Sequence, residues 1–227
     1  MTSAPASHFL IVAAGHGARF GSELPKQYHE LEPGLSVLQA CVERLKSWRF
    51  CKSLTIVANP TFADKLNALG QIWVTGGKSR QESVHLGLMA MEAKPHDYVF
   101  IHDAARPLVS LEILDRLRQG LADAKGCIPV LPVPDTLKRV EVSHPHVIAA
   151  SAGRETLRRV QTPQAFHFET IKAAHEAFKH QDSFTDDASL LQAMGIPVSL
   201  VPGAEQMMKI TTALDLAIIQ ALYKKGY

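Results

Sequence analysis

Much of what would place this chain in a specialised class is missing from it. No apolar run approaches the roughly 20 residues that span a bilayer. Residues 1–7 carry no Lys or Arg and no apolar stretch long enough for a signal peptide, so they read as a short disordered tail on a cytoplasmic protein. Cysteine is scarce: Cys41, Cys51 and Cys127 are widely spaced, with no C-x-x-C pair. An odd count without metal-ligand spacing excludes a disulfide scaffold and points to free thiols in a reducing compartment. The formal net charge is only +2 and no Lys/Arg run occurs, which excludes a nucleic-acid binder. No D-x-D occurs, against a metal-dependent nucleotide-sugar glycosyltransferase. No Ser-His-Asp set, paired catalytic carboxylates or internal repeat can be placed.

What remains is a chain of 227 residues, 46% hydrophobic and 20% charged, enough for one sizeable core. Short apolar runs alternate with segments of helical spacing. Strands are expected over Phe9–Val12, Ser53–Ala58, Ile72–Val74, Tyr98–Ile101, Gly126–Val133 and Val198–Val201. Between them lie helices at Val37–Trp48 (capped by Ser36), Thr61–Leu69 (capped by Thr61), Val84–Met91, after Ser110, Phe168–Phe178, up to Met194 (capped by Thr185 or Asp186), and Thr212–Tyr223. This alternation predicts an α/β fold: one Rossmann-like domain over 8–227, with a mostly parallel twisted sheet covered by helices on both faces. Two prolines in Gly126–Val133 predict a strand with an irregular end. Asp135–Val140 and Val147–Ser151 alternate around a turn at Ser143–His146 and predict a protruding β-hairpin arm at about 135–155. Such a hairpin has little core of its own and should pack on something else, with a second subunit the natural candidate.

The most informative stretch is Phe9 to Tyr28, FLIVAAGHGARFGSELPKQY. A buried strand runs into Ala13, Ala14, Gly15, Gly17 and Gly21, where small residues let backbone N–H groups approach an anion. Gly15, Gly17 and Gly21 form G-x-G-x-x-x-G, one residue too long for a dinucleotide fingerprint, and no G-K-[ST] follows as in a Walker loop. The glycines alone fit an ordinary turn. Arg19 and Lys26 beside them favour a polyphosphate. Gly76–Gly77, with Arg80 and Ser83 following, repeats the strand–glycine–helix geometry. His102–Asp103–Ala104–Ala105–Arg106–Pro107 ends another strand, where ligands of open α/β sheets collect. Arg154 and Lys209 add cations, and Thr136 and Thr162 neutral partners. A cation cluster without a clear general base suits a nucleophile that is already anionic, such as a phosphate monoester. The difficulty is then to bring negative charges together in line.

These motifs resemble the 2-C-methyl-D-erythritol 4-phosphate cytidylyltransferase family. The resemblance rests on A-A-G-x-G-x-R-x-G and P-K-Q-Y in Ala13–Tyr28, G-G-x-x-R-x-x-S in Gly76–Ser83, H-D-A-A-R-P in His102–Pro107, T-P-Q-x-F in Thr162–Phe166, T-D-[DE]-A in Thr185–Ala188, and K-I-T in Lys209–Thr211. It covers nearly the whole chain. It departs at Met207, where the family carries Asn, and at Ala213–Leu216, where Pro-Glu-Asp-Leu is usual. The resemblance implies transfer of CMP from CTP to methylerythritol phosphate, with release of pyrophosphate. It implies that Ala13, Ala14, Gly15, Gly17, Arg19, Lys26, Gly77, Ser83 and Ala104 bind the nucleotide. Asp103, Arg106, Thr136, Arg154, Thr162 and Lys209 would bind the acceptor, with Arg19, Lys26, Arg154 and Lys209 as the catalytic cations. It further implies Mg²⁺ carried with CTP, without an assigned protein ligand. The arm would join a homodimer in which Thr136 and Arg154 reach the neighbouring subunit's site. With the chain ending at Tyr227, no fused downstream cyclase domain is expected. A cytidylyltransferase for another polyol phosphate, such as ribitol 5-phosphate, would share the CTP half. A nucleotide-sugar glycosyltransferase-like protein and a non-catalytic nucleotide-binding module are more distant alternatives.

Overall fold

The computed structural model describes residues 4–15, 20–181 and 183–227. Its centre is β1 (Ser7–Ala13), which pairs in parallel with β4 (Cys51–Ala58) on one side and β6 (Tyr98–Asp103) on the other. Period-two alternation divides β1 between two cores. Phe9, Ile11 and Ala13 pack with Leu38, Cys41 and Leu45 of α1 (Val37–Lys46) and with Ile113, Leu114 and Leu117 of α4 (Leu111–Gly120). Leu10 and Val12 point the other way, toward Val84 and Leu88 of α3 (Arg80–Ala90), Ile171 of α5 (Phe168–Ala177) and Leu191 of α6 (Asp187–Ala193). A strand apolar on both faces needs helices on both faces, and this is what the sheet has.

The small strands β2 (Glu30–Glu32) and β3 (Leu35–Ser36) form a separate pair before α1. After β4 and α2 (Ala63–Ala68), β5 (Ile72–Thr75) extends the main sheet outward in parallel, and the chain then returns to β6 across β1. The winding direction therefore reverses between β1 and β6, and their carboxyl ends open the crevice where such sheets hold ligands. Past β6 lies β11 (Gln164–His167), antiparallel to β6 and to β7 (Gly126–Pro132). The neighbouring β10 (Arg158–Val160) is also antiparallel to β7, whose other edge carries β12 (Ser199–Pro202) in parallel. A closing helix, α7 (Ala213–Lys224), starts at a capping box between Thr212 and Asp215.

Several local expectations are corrected. Residues 5–7 of the expected tail are held by the fold. Ser7 lies in β1, Ala6 N donates to Asp97 Oδ1 (2.9 Å), and Arg118 Nη2 donates to Pro5 O (2.9 Å), so these backbone groups have partners in the fold. The turn before α2 is capped by Asn59, whose side chain accepts from Thr61 N, and Thr61 itself caps nothing there. Pro129 sits inside β7 although strands flank it on both sides. It lies opposite the break between β10 and β11, where Gln161 N donates to Pro129 O (2.9 Å), so a residue lacking N–H leaves the ladder intact.

The arm forms a two-stranded sheet of its own, β8 (Leu137–Val140) against β9 (Ile148–Ala152). Its apolar side chains are exposed, including Val140, Val142, Val147 and Ile148.

Candidate active site

A cavity of about 440 Å³ opens at the carboxyl ends of β1, β5 and β6. Its floor is the end of β1, Val12 to Gly15, with Ala104 and Ala105 beyond β6. Gln27 is buried and its amide donates to Ala13 O (2.6 Å) and Gly15 O (3.1 Å), which fixes the exit of β1. Pro25 leads into a single 3-10 turn, Lys26–Tyr28, that brings Lys26 to the same cavity.

The opposite wall is the loop into α3. Gly76 N donates to Ala58 O (2.9 Å), continuing the sheet by one bond. Ser79 caps the helix by accepting from Glu82 N. Ser83 Oγ donates to Ser79 O (2.8 Å) and accepts from Gly77 N (3.0 Å), so this hydroxyl holds the glycine loop in shape. Gly76 is required by space, since a Cβ there would lie 2.3 Å from the Ala14 Cβ. The two glycine-rich loops touch at this point.

Between the walls sits Asp103, buried and facing three cations. Lys209 Nζ donates to its Oδ2 (2.7 Å), Arg80 Nε to its Oδ1 (3.3 Å), and Arg106 Nε lies 3.9 Å from Oδ2. Burial would raise the Asp103 pKa, but Arg80, Lys209 and Arg106 outweigh it and hold the carboxyl ionised far below the usual range. Burial likewise opposes the charge on Arg80, and Asp187 and Asp103 reverse that effect, so its pKa is raised. Lys209 reaches Asp103 because the next residue is pinned: Ile210 N donates to Ala105 O (2.9 Å). Arg106 is anchored by donating to Met207 O (2.7 Å), so the departure at Met207 leaves the backbone contact in place.

Behind Asp103 runs a fully buried polar chain. Asp103 N donates to Thr162 Oγ1 (3.1 Å), and Thr162 Oγ1 lies 3.1 Å from His102 Nδ1. His102 Nε2 is 3.0 Å from Arg106 O, a carbonyl that only accepts, so this nitrogen carries the proton and Thr162 donates to Nδ1. Burial lowers the His102 pKa to about 4.

A second cavity, about 470 Å³, adjoins the first. Both are lined by Arg80, Asp103 and Lys209. The second adds Arg106, Thr162, Gln164 and Asp186.

Of the expected site residues, Ala13, Ala14, Gly15, Lys26, Gly77, Ser83, Asp103, Ala104 and Lys209 line the first cavity, and Arg106 and Thr162 the second. Gly17 and Arg19 lie outside the described residues. Thr136 and Arg154 are not brought to either cavity. Thr136 is exposed at the base of the arm, and Arg154 lines a separate hollow with Val133 and Glu155, donating to Pro134 O. The sequence expectations passed over Gln27, Arg80 and Asp187 as site residues. Each stands inside a motif already singled out, P-K-Q-Y, G-G-x-x-R-x-x-S and T-D-D-A, and that was the available signal.

Comparison with known proteins agrees with this geometry. The family model for 2-C-methyl-D-erythritol 4-phosphate cytidylyltransferase (IspD) matches residues 7–225. A bifunctional enzyme IspD/IspF from Rhodospirillum rubrum is 42% identical over 95% of this chain, which covers 56% of that relative. A 2-C-methyl-D-erythritol 4-phosphate cytidylyltransferase from Streptomyces avermitilis is 37% identical over 94% of this chain and 90% of its own length. This chain thus spans about half the length of the bifunctional relatives it matches and most of the single-function one. Among solved structures, a 4-diphosphocytidyl-2C-methyl-D-erythritol synthase superposes with a TM-score of 0.82 at 31% identity, covering 98% of this chain and all of that one. The Thermus thermophilus 2-C-methyl-D-erythritol 4-phosphate cytidylyltransferase gives 0.78 at 32% identity, over 95% of this chain and 98% of that one. The chain belongs to the 2-C-methyl-D-erythritol 4-phosphate cytidylyltransferase family.

Proposed function

We propose that this protein transfers CMP from CTP to 2-C-methyl-D-erythritol 4-phosphate, releasing pyrophosphate. One observation carries the reading: two adjoining cavities meet at the Arg80–Asp103–Lys209 cluster, one walled by glycine-rich loops and the other by Arg106 and Thr162. The first suits a nucleoside triphosphate, the second a polyol phosphate. An oxygen of the acceptor's phosphate attacks the α-phosphorus of CTP while the bond to the pyrophosphate oxygen breaks. That nucleophile is already anionic near neutral pH, since the second pKa of a phosphate monoester is about 6. No side chain need take a proton from it. Lys26 and Lys209 both line the cavity and offset the charge gathering at phosphorus. Asp103 keeps the Lys209 ammonium in place.

Mg²⁺ is the expected companion of CTP. Among the described residues no group of three or more His, Cys, Asp or Glu is arranged to hold a metal. Both oxygens of Asp103 already accept from cations. The donor set therefore fits an ion held chiefly by phosphate oxygens and water. When bound it would neutralise phosphate charge. We place the enzyme in the cytoplasm as a homodimer, one nucleotidyltransferase domain per chain from residue 8 onward. The arm at about 135–155 is inserted in that domain and carries Thr136 and Arg154 toward a partner's acceptor cavity. The exposed apolar residues of the arm support this, as does the place of Arg154 away from both cavities of its own chain.

The test is pyrophosphate release with Mg²⁺, each nucleoside triphosphate, and a panel of polyol and sugar phosphates. Release is expected with CTP and methylerythritol phosphate, and little with UTP. Turnover confined to ribitol 5-phosphate would reject the acceptor assignment.

A further inference from the structure

Asp187 is 1% exposed and lines neither cavity, yet it is held as tightly as any side chain near the site. Its Oδ2 accepts from Arg80 Nη2 (2.8 Å) and its Oδ1 faces His175 Nε2 (3.1 Å). Its own N–H donates to Gln164 Oε1 (3.1 Å), which also takes the Ala188 N–H. His175 is fully buried, and among the described residues its Nδ1 has no partner and its ring makes a single hydrogen bond, to Asp187. Burial would raise the Asp187 pKa, and Arg80 and His175 outweigh it. Arg80 is therefore gripped at both sides of its fork, by Asp187 at Nη2 and by Asp103 at Nε. A guanidinium held by two buried carboxylates, at Nε and at Nη2, acts as a strut between them.

We propose that Asp187 is a positioning residue: through Arg80 it fixes Asp103, and through Asp103 it fixes the Lys209 ammonium at the junction of the two cavities. The effect on turnover rests on the cytidylyltransferase reading; the placement of Lys209 does not. Asp187→Asn keeps the shape and the backbone bond to Gln164 but removes one anion. Arg80 then has only Asp103 as a charged partner and competes with Lys209 for it. The cluster of Arg80, Arg106 and Lys209 with Asp103 and Asp187 goes from a formal +1 to +2. Ground-state attraction for phosphate is thereby kept, while the aim of Lys209 is lost.

The experiment is a double-mutant cycle of Asp187→Asn with Lys209→Met, read as kcat and KM for pyrophosphate release. Asp187→Asn alone is expected to lower kcat about tenfold or more without raising KM for the acceptor. In the Lys209→Met background it should cost no more than about twofold, because the group it positions is gone. Residues that share no contact ordinarily behave additively. A loss of the same size in both backgrounds, as partial misfolding would give, overturns the proposal. Should Asp187→Asn fail to fold, Arg80→Lys, which replaces the fork with a single point of charge, takes its place with the same expectation. A readout free of turnover separates this inference from the functional one. The ¹⁵N signal of the Lys209 ammonium, assigned by its loss in Lys209→Met, should shift or broaden in the Asp187 variant. An unchanged signal overturns the inference even in a protein that turns over; an inactive wild type with a shifted signal rejects only the assigned reaction.

Discussion

The cavity floor and the arm are built on opposite terms. At the floor, nearly every polar group has a partner from a distant part of the same chain: Gln27 with Ala13, Asp103 with Lys209, Thr162 with His102. In the arm, β8 and β9 have mainly each other, and Val142 is fully exposed. Groups that must aim charge at a reacting phosphorus need fixing at the level of fractions of an ångström, and intrachain burial supplies it. A hairpin with no core of its own can fix nothing unless it docks. Arg154 and Thr136 belong to that second kind, Lys26 and Lys209 to the first.

Four substitutions or mixtures would break or sharpen this contrast. The largest effect is expected at the floor. Lys26→Ala should lower kcat about 10²–10³-fold with a much smaller change in KM, the usual toll for removing one donor aimed at transition-state charge. An unchanged kcat would remove Lys26 from the catalytic set. Next is the buried chain behind Asp103. His102 is neutral when folded and titrates near 4, against 6.5 when unfolded. The unfolded chain therefore binds the extra proton between those values, and stability falls as pH drops from about 6.5 toward 4. The full loss is about 3 kcal/mol, at about 1.4 kcal/mol per pH unit. Asp103 is depressed as well, but its contribution is lost only as pH falls below its ordinary value of 3.8, so the two windows separate. Urea unfolding at several pH values should show this slope in the wild type and lose most of it in His102→Asn.

Gly76→Ala should come third. The added methyl would press on Ala14. Displacing the loop by about 1 Å is expected to cost on the order of 10²-fold in kcat/KM. The smallest signal concerns the arm. Mixing inactive Lys26→Ala with inactive Arg154→Ala protein should restore partial activity through hybrid dimers. If subunits demonstrably exchange and no activity returns, Arg154 does not serve a partner's site.

How legible was all this? Strands β1, β4 to β7 and β12, the two-faced sheet and the hairpin followed from apolar runs and alternation, because each is a local pattern repeated over several residues; the short β2, β3, β10 and β11 carried no such pattern and were not expected. Caps at Ser36 and Asp186 were legible for the same reason. Thr61 misled because Asn59, two residues earlier, offers the oxygen that meets the Thr61 N–H. The floor cations were legible where they sat beside glycines, as Lys26 does. Asp187 looked like one more acidic residue in the first turn of a helix. Its partner Arg80 stands 107 positions away, and only the fold brings them together. His175 carried no signal at all, since nothing local tells a buried histidine from an exposed one.

One consequence lies in the order of the walls along the chain. The glycine-rich loops of the first cavity precede Ala90, whereas its Ala104, Ala105 and Lys209 and most of the second cavity come after Tyr98. A genetic crossover in the short connection between those residues would exchange most of the second cavity and keep the glycine-rich loops of the first. A chain recombined in this way would meet a new partner molecule in the second cavity while keeping its glycine-rich loops unchanged.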